Sequence, residues 1–417
     1  MCQTNGIDNP NRYRFVEFPI YNAIIALVWK QTGISTLYAR LTTAFFTLIS
    51  IVLLYLIVRK FSSLLTASLA AFFFATIPYN VFYSTTILPG PFMVTFILAM
   101  HYTFIRYLDK ENPILILLSA IFGTIAVLSW PIAAFFFLPV IYLALDKYGF
   151  GSVKKIWLWI FAAIVLVPFL IWRTWMLKFP AGIPNWQFLI NEGNIRFKGA
   201  YFRWIIQDRL AGLILSSTGF ALFILGLVKK QGKEKLFYYS MFASSVLYIC
   251  IFASGNVRHD YYQVPIVPSL VVFMAIGTSS LLKFKSEFFS KYLSVAVAVF
   301  LVVFAYALSF YRVQGYYWIN RPEIIEAGEA LDKTIPKDAT VIAPYNGDTA
   351  FLYQTNRHGY PIVDRPLEKY VTNGTKYLVS VDVNDSGIMH LASVCNTLKK
   401  TDKYVIIELS QNCLNKP

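Results

Sequence analysis

Acidic residues are scarce in this chain, 22 of 417, and histidines number four. No histidine stands at the i, i+4 spacing from another ligand that a helix needs to offer one metal two donors, so the sequence holds no metal site of that kind. There is no GxSxG turn, no HExxH helix and no glycine loop able to cradle a phosphate, which removes the common hydrolase, metalloprotease and nucleotide-binding readings. Internal repeats and low-complexity segments are missing too. Charged residues make up only 14% of the chain, whereas 57% are hydrophobic, 17% are aromatic and the mean hydropathy is +0.55. A chain so poor in charge and so rich in oil-soluble groups is a membrane protein.

Apolar runs of roughly 17 to 22 residues, the length that crosses about 30 Å of hydrocarbon as a helix, recur through the first three quarters of the sequence. They predict about ten spans, near 40–58, 64–78, 90–107, 113–129, 131–146, 156–174, 208–228, 236–253, 263–282 and 290–310. The net charge of +15 follows the loops between them, which argues for topology and against a nucleic-acid partner. Lysine and arginine cluster at Arg59-Lys60, Lys110, Lys147 with Lys154-Lys155, Lys229-Lys230 with Lys233 and Lys235, and Lys283 with Lys285 and Lys291. The alternate short loops carry a single cation, Arg258, so the lysine loops belong in the cytoplasm.

The expected fold class is a polytopic α-helical protein of the cell membrane with a small extracytoplasmic α/β domain at its C-terminus. Its predicted parts are an external segment with an interfacial helix (1–39), a transmembrane domain (40–311) and the α/β domain (312–417). Because residues 1–13 have neither a basic n-region nor an apolar h-region, a further helix and loop are expected ahead of Met1. In the tail, RPEIIEAGEALDKTI has helical spacing behind a proline and ATVIAPY reads as a strand. KYLVSVD and KYVIIEL are strand-like runs enclosing SGIMHLASVCNTLKK, whose apolar residues recur at three and four. Cys250 falls inside a span, and Cys395 and Cys413 share the external tail, where a disulfide is permitted in an oxidising compartment.

Ionisable groups at a membrane are costly to place and mark candidate sites. In NVRHDYYQVPIVP, Arg258 and His259 offer positive charge to an anion, Asp260 is suited to orient the imidazole or a hydroxyl, and Tyr261 and Tyr262 can stack or donate. An interface belt, with the tyrosines at headgroup depth and the charges solvated, explains the same residues. Glu17, in VEFPIY, is a candidate general base or hydroxyl-orienting group, with a dipole-complementing carboxylate as its plain alternative. Asp8 is a second candidate acid. The cations of the 175–209 stretch, Arg203 and Arg209 among them, suit a surface that holds a lipid phosphate beside aromatic residues, although a solvated loop has the same composition. Gly347-Asp348 and Arg357-His358 lack the neighbours that a metal site or triad requires.

Several phrases resemble the integral-membrane GT-C glycosyltransferases, the set related to protein O-mannosyltransferases of family 39 and to lipid A aminoarabinose transferases. VEFPIYNAIIALVWKQTG is similar to the segment that follows the first external loop of these proteins, and STLYARLTTAFFTLISIVLLYLIVRK to their next span. PYNVFYSTTILPGPFMVTF looks like their third-to-fourth helix turn and RHDYYQVPIVPSL like a late external loop. RPEIIEAGEAL, VIAPYNGD and LYQTNRHGY resemble their external C-terminal domain. The resemblance implies transfer of a sugar from a polyprenyl-phosphate donor to an acceptor of unspecified kind by inverting displacement, without a cofactor. It also implies an acidic residue in the first external loop, for which no clear counterpart precedes the EFP segment. Two other positions depart from the pattern: Gly90 where an acid often follows Leu-Pro, and Trp130 where a lysine often precedes proline. A lipid or polysaccharide transporter and a non-catalytic relative stay open as alternatives, the first weakened by one-sided polar groups and by the absence of a repeat.

Overall fold

The computed structural model describes residues 13–15, 17–230, 232, 235–286, 290–318 and 320–415; Asp8 lies outside them. The chain divides into two compact units, the first running to Tyr317 and the second starting at Trp318.

The first unit is a bundle of helices whose ends are set by local chemistry. Asn112 accepts the backbone N–H of Ile114 at 2.9 Å, with Pro113 as the first residue of the helix behind it, and Ser290 accepts that of Leu293 at 3.1 Å. Such caps and N-terminal prolines satisfy or remove donors that a helix start leaves over. The principal helices are α1 (Ile20–Thr32), α2 (Thr36–Phe61), α3 (Leu64–Thr76), α4 (Pro78–Tyr83), α5 (Pro89–Lys110), α6 (Pro113–Ser129), α7 (Leu138–Tyr148) and α8 (Ile156–Met176). After a π-helix at Arg203–Ile214 come α9 (Ser216–Val228), α10 (Leu236–Ile251), α11 (Val267–Leu282) and α12 (Lys291–Val313).

By length and apolarity, five of the described helical segments can cross a membrane: Thr36–Phe61, Pro131–Lys154, Ile156–Met176, Asp260–Leu282 and Lys291–Tyr317. A sixth is counted if Gly199–Ile214 and α9 are one broken span, and α3, α6 and α10 are shorter apolar helices. Hydroxyls inside the spans are satisfied locally or across helices, as lipid requires. Thr43 and Thr47 donate to carbonyls one turn back, and Ser50 meets Thr95 at 2.8 Å between α2 and α5.

One expectation about shape needs correction. The run at 208–228 is not a straight span: it bends by 108° before α9, and Ser216 sits at the corner with φ +61°. Asp208 and Arg209 give the reason. Both are charged, and Arg209 turns back to donate to the Val257 carbonyl at 2.9 Å, which ties this stretch to the loop ahead of Asp260. In the 14–31 stretch, α1 packs on its neighbours: Tyr21 is buried and its hydroxyl meets Thr43 of α2 at 2.5 Å.

Helix α11 is the most enclosed element, buried over nearly its whole length. It meets α9 at a glycine crossing. A Cβ on Gly226 would stand 1.9 Å from the Phe273 carbonyl oxygen, and one on Gly277 would stand 1.9 Å from that of Leu222.

The second unit holds a five-stranded sheet in the order β2-β1-β3-β5-β4, from β1 (Thr340–Ile342), β2 (His358–Tyr360), β3 (Tyr377–Ser380), β4 (Asn396–Lys400) and β5 (Val405–Glu408). The first three strands run parallel, while β5 pairs antiparallel with β3 and β4. Alternation along each strand feeds two cores: Val341, Val379 and Ile406 pack with Ile324 and Leu331 of α13 (Glu323–Thr334), and Ile342, Leu378 and Ile407 pack on the opposite face with Tyr370. The SGIMHLASVCNTLKK run splits where a single helix was expected. α14 (Ser386–Val394) stops at Cys395, and NTLKK becomes β4 because a tight turn at Thr401–Tyr404 folds it onto β5. Cys395 and Cys413 are joined in a disulfide with Cα atoms 5.0 Å apart. Arg357 is structural, bonded to Asp332 and to the carbonyls of Ile335 and Pro336, and Asp348 caps the Ala350 N–H at 2.8 Å.

Candidate active site

Glu17 stands at a bend whose flanking residues are both anchored. The Phe15 N–H donates to the Gly182 carbonyl at 2.8 Å and the Phe18 N–H to that of Leu128 at 2.9 Å. Phe15 is buried against Trp172, Trp175 and Phe179, and Phe18 meets the edge of Trp172. Gly182 is required at the first anchor, since a Cβ there would come within 2.8 Å of the Tyr13 carbonyl oxygen. The EFP phrase thus carries one free side chain, that of Glu17, between two aromatic anchors.

That side chain lines a cavity of about 200 Å³ together with Leu88, Pro89, Gly90, Pro91, Trp130, Tyr261, Tyr262 and Val264. The two positions that depart from the family pattern face each other here. A Cβ on Gly90 would lie 3.2 Å from the Trp130 ring, so the indole fills the space that a larger residue would need. Trp130 also meets Tyr262 edge to face, with ring centroids 5.2 Å apart. Burial in this apolar wall pushes the Glu17 carboxyl up to about 7, and it makes no hydrogen bond or ion pair with a described residue.

The HDYYQ loop that supplies the opposite wall is held by its own carboxylate. Asp260 accepts from the Tyr83 hydroxyl at 2.7 Å and from that of Tyr316, lies 3.9 Å from Arg209, and its backbone carbonyl accepts from Tyr79 at 2.6 Å. Burial first, and then the Asp260 carboxylate, push the Tyr83 phenol up, so it remains a donor. The His259 ring lies over Tyr261 and Tyr262, at centroid distances of 5.3 and 5.7 Å. Its pKa is lowered by burial, an effect that Asp260 opposes and that Arg258 and Arg209 reinforce.

Glu17, Tyr261 and Tyr262 therefore share one cavity, while Arg209 and Asp260 form the scaffold beside it. Arg258 points elsewhere: it pairs with Glu192 of the long loop and lies over Phe188, half exposed. Arg203 is exposed on the π-helix with no partner among the described residues. Sequence reasoning passed over Glu192, Tyr79, Tyr83 and Tyr316, and it registered Trp130 only as a departure. The one available signal was PYNVFY, whose tyrosines at i and i+4 share a helix face. Among the described residues, no three His, Cys, Asp or Glu side chains gather as a metal would require.

The fold is that of integral-membrane glycosyltransferases of the GT-C type, and part of the chain matches one of their families by sequence. Residues 11–175 match the family model of dolichyl-phosphate-mannose-protein mannosyltransferase, and the resemblance read from the sequence holds. The fold is shared with ArnT from Cupriavidus metallidurans, a structure bound to undecaprenyl phosphate, at a TM-score of 0.66, 12% identity and coverage of 97% of this chain and 90% of that one. It is also shared with the oligosaccharyltransferase AglB from Archaeoglobus fulgidus, in complex with an inhibitory peptide and a dolichol-phosphate, at a TM-score of 0.51, 10% identity and coverage of 96% and 66%. A second structure of the Archaeoglobus fulgidus oligosaccharyltransferase, with zinc and sulfate, matches at a TM-score of 0.53 and 12% identity, covering 92% of this chain and 61% of that one. No curated protein matches by sequence.

Proposed function

We propose that the protein moves a sugar from a polyprenyl-phosphate donor to a lipid, glycan or protein acceptor at the extracytoplasmic face of the cell membrane, using about ten spans with the C-terminal unit outside. The observation that carries this reading is the Glu17 carboxyl, raised to about 7 and without a hydrogen bond or ion pair among the described residues, in a cavity walled by Trp130, Tyr261 and Tyr262. Aromatic walls suit the apolar face of a sugar ring, and a base with a pKa near the working pH suits removal of a hydroxyl proton.

In the reaction, the acceptor oxygen bonds to the anomeric carbon while the bond from that carbon to the phosphate oxygen breaks. The leaving polyprenyl phosphate keeps the electron pair, and Glu17 takes the acceptor's proton. Charge grows on the phosphate, so His259, Arg258 and Arg203 stabilise it from the loop side. Arg258 is available because its pair with Glu192 is exposed, and such pairs are worth only about 0–1 kcal/mol. Arg209 and Asp260 keep the loop in place.

The test is release of polyprenyl phosphate from a lipid-linked sugar carrying a label in its phosphate, in membranes containing the protein. Glu17→Gln is expected to slow release by about 10²–10⁴-fold, the usual worth of a general base, and Arg258→Ala to weaken donor binding. Unchanged release in both variants removes the assignment.

A further inference from the structure

The far end of the helical unit holds a second polar hollow that sugar transfer does not use. From the Glu17 cavity, α5 and α11 run away from Pro89 and Val264, and the 16 residues of α11 alone span about 24 Å. At their other end, Lys229, Lys230, Lys235 and Lys283 ring a hollow of about 180 Å³ whose remaining lining is Ser62, Ser63, Thr66, Ile276, Ser279 and Ser280.

Lysines at helix C-termini or at cytoplasmic loop ends have ordinary explanations in the helix dipole and the topology rule. Neither explains the hydroxyl lining. Thr66 and Ser279 are buried residues of α3 and α11, and the Thr66 hydroxyl donates to Ser279 at 3.0 Å. The Ser279 hydroxyl keeps its own proton without an acceptor among the described residues. Ser63 joins the chain, 3.0 Å from Thr66. No described carboxylate lines the hollow, and none of the four lysine ammonium groups has a hydrogen bond or ion pair with a described residue. Asp109, at the end of α5, is occupied by Lys60 at 2.8 Å. The ends of α3, α9, α10 and α11 thus set ammonium groups with no partner among the described residues beside the buried Ser279 hydroxyl, a donor set complementary to phosphate oxygens.

We propose that this hollow binds an anionic phosphate group, from a phospholipid headgroup or from a free phosphate, at the membrane face opposite the sugar-transfer cavity. The four ammonium groups supply charge at the rim, while the Ser279 hydroxyl donates from the floor. The site does not depend on the transferase reading, since no residue is common to the two cavities.

The test uses the full-length protein in phosphatidylcholine nanodiscs and follows the unfolding midpoint. One arm adds dioleoyl phosphatidic acid to the lipid; the other adds inorganic phosphate against chloride at equal ionic strength. A rise in midpoint with lipid alone identifies a headgroup site, and a rise with inorganic phosphate identifies a free-anion site; either supports the proposal. The triple variant Lys229→Gln, Lys230→Gln, Lys283→Gln is expected to weaken the response at least about tenfold. An equal-charge control, Lys110→Gln, Lys147→Gln, Lys154→Gln, is expected to keep it. Ser279→Ala, which alters no charge, is expected to weaken it severalfold and carries the test if the triple variant does not fold. No rise in either arm, or equal loss in the control, overturns the proposal.

Discussion

Two carboxylates near the same cavity have opposite surroundings. Asp260 is held by two phenols and a guanidinium, whereas Glu17 has only an apolar wall and a pKa near 7. The proton balance of Glu17 therefore changes at near-neutral pH. Its folded-state pKa is above the unfolded value, so between about 4.5 and 7 the folded protein binds more protons, and stability falls as pH rises through that window. Activity runs the other way, because the base must be ionised. Transfer rates are expected to climb with an inflection near 7, and unfolding midpoints to drop over the same range; Glu17→Gln should flatten the stability trend. A rate inflection near the ordinary glutamate value would assign the base elsewhere. Asp260→Ala is expected to cost about 2–3 kcal/mol by stranding Arg209 and two hydroxyls, while Arg258→Ala, at an exposed pair, should cost less than about 1 kcal/mol. Thermal denaturation of the two variants separates scaffold from binding residue. Polarity made Glu17, Tyr261 and Tyr262 legible as candidates. The partners of Asp260 were not, because Tyr83 is 177 residues away in sequence and no local pattern announces such a contact.

Among the elements, helix starts were readable from Asn112-Pro113 and Leu88-Pro89, where capping and proline geometry act over three or four residues. The bend before α9 was hidden: hydropathy counts apolar residues but does not say that Arg209 will turn back toward Val257. The glycine crossing was equally invisible, since Gly226 and Gly277 each lie in an apolar run that would be helical with or without them. Its energetic consequence is direct. Gly277→Ala or Gly226→Ala places a methyl inside a backbone carbonyl's radius, forcing α9 and α11 apart at about 1–3 kcal/mol or more. Expression followed by size-exclusion chromatography should show loss of the monodisperse protein. Gly232→Ala, with nothing within 4 Å, is expected to leave it intact.

At the scale of the whole molecule, the two units rest on different forces. The helical unit is secured by side-chain packing and glycine contact, whereas the C-terminal unit has a small sheet whose last helix is tied back by Cys395–Cys413 across 18 residues. Closing a loop of that size stabilises by about 3 kcal/mol. Reduction is expected to lower the unfolding midpoint of the C-terminal unit and increase its proteolysis, with little effect on the helical unit's melting. The strand-like runs and the α13 helix were visible in the tail, but the β4–β5 hairpin was not, because NTLKK prolongs the helical spacing of SGIMHLASV, and what folds it onto β5 is the turn at Thr401–Tyr404.

The glycine crossing also bears on time. Leu222 and Gly277 touch, yet about fifty residues of chain separate them, including α10. At roughly 5–20 residues per second, ribosomal synthesis leaves α9 without its closest partner for several seconds. During that interval the bare Gly226 face must be sheltered by lipid or by the insertion machinery, so a slowed ribosome between Val228 and Val267 would lengthen that exposure.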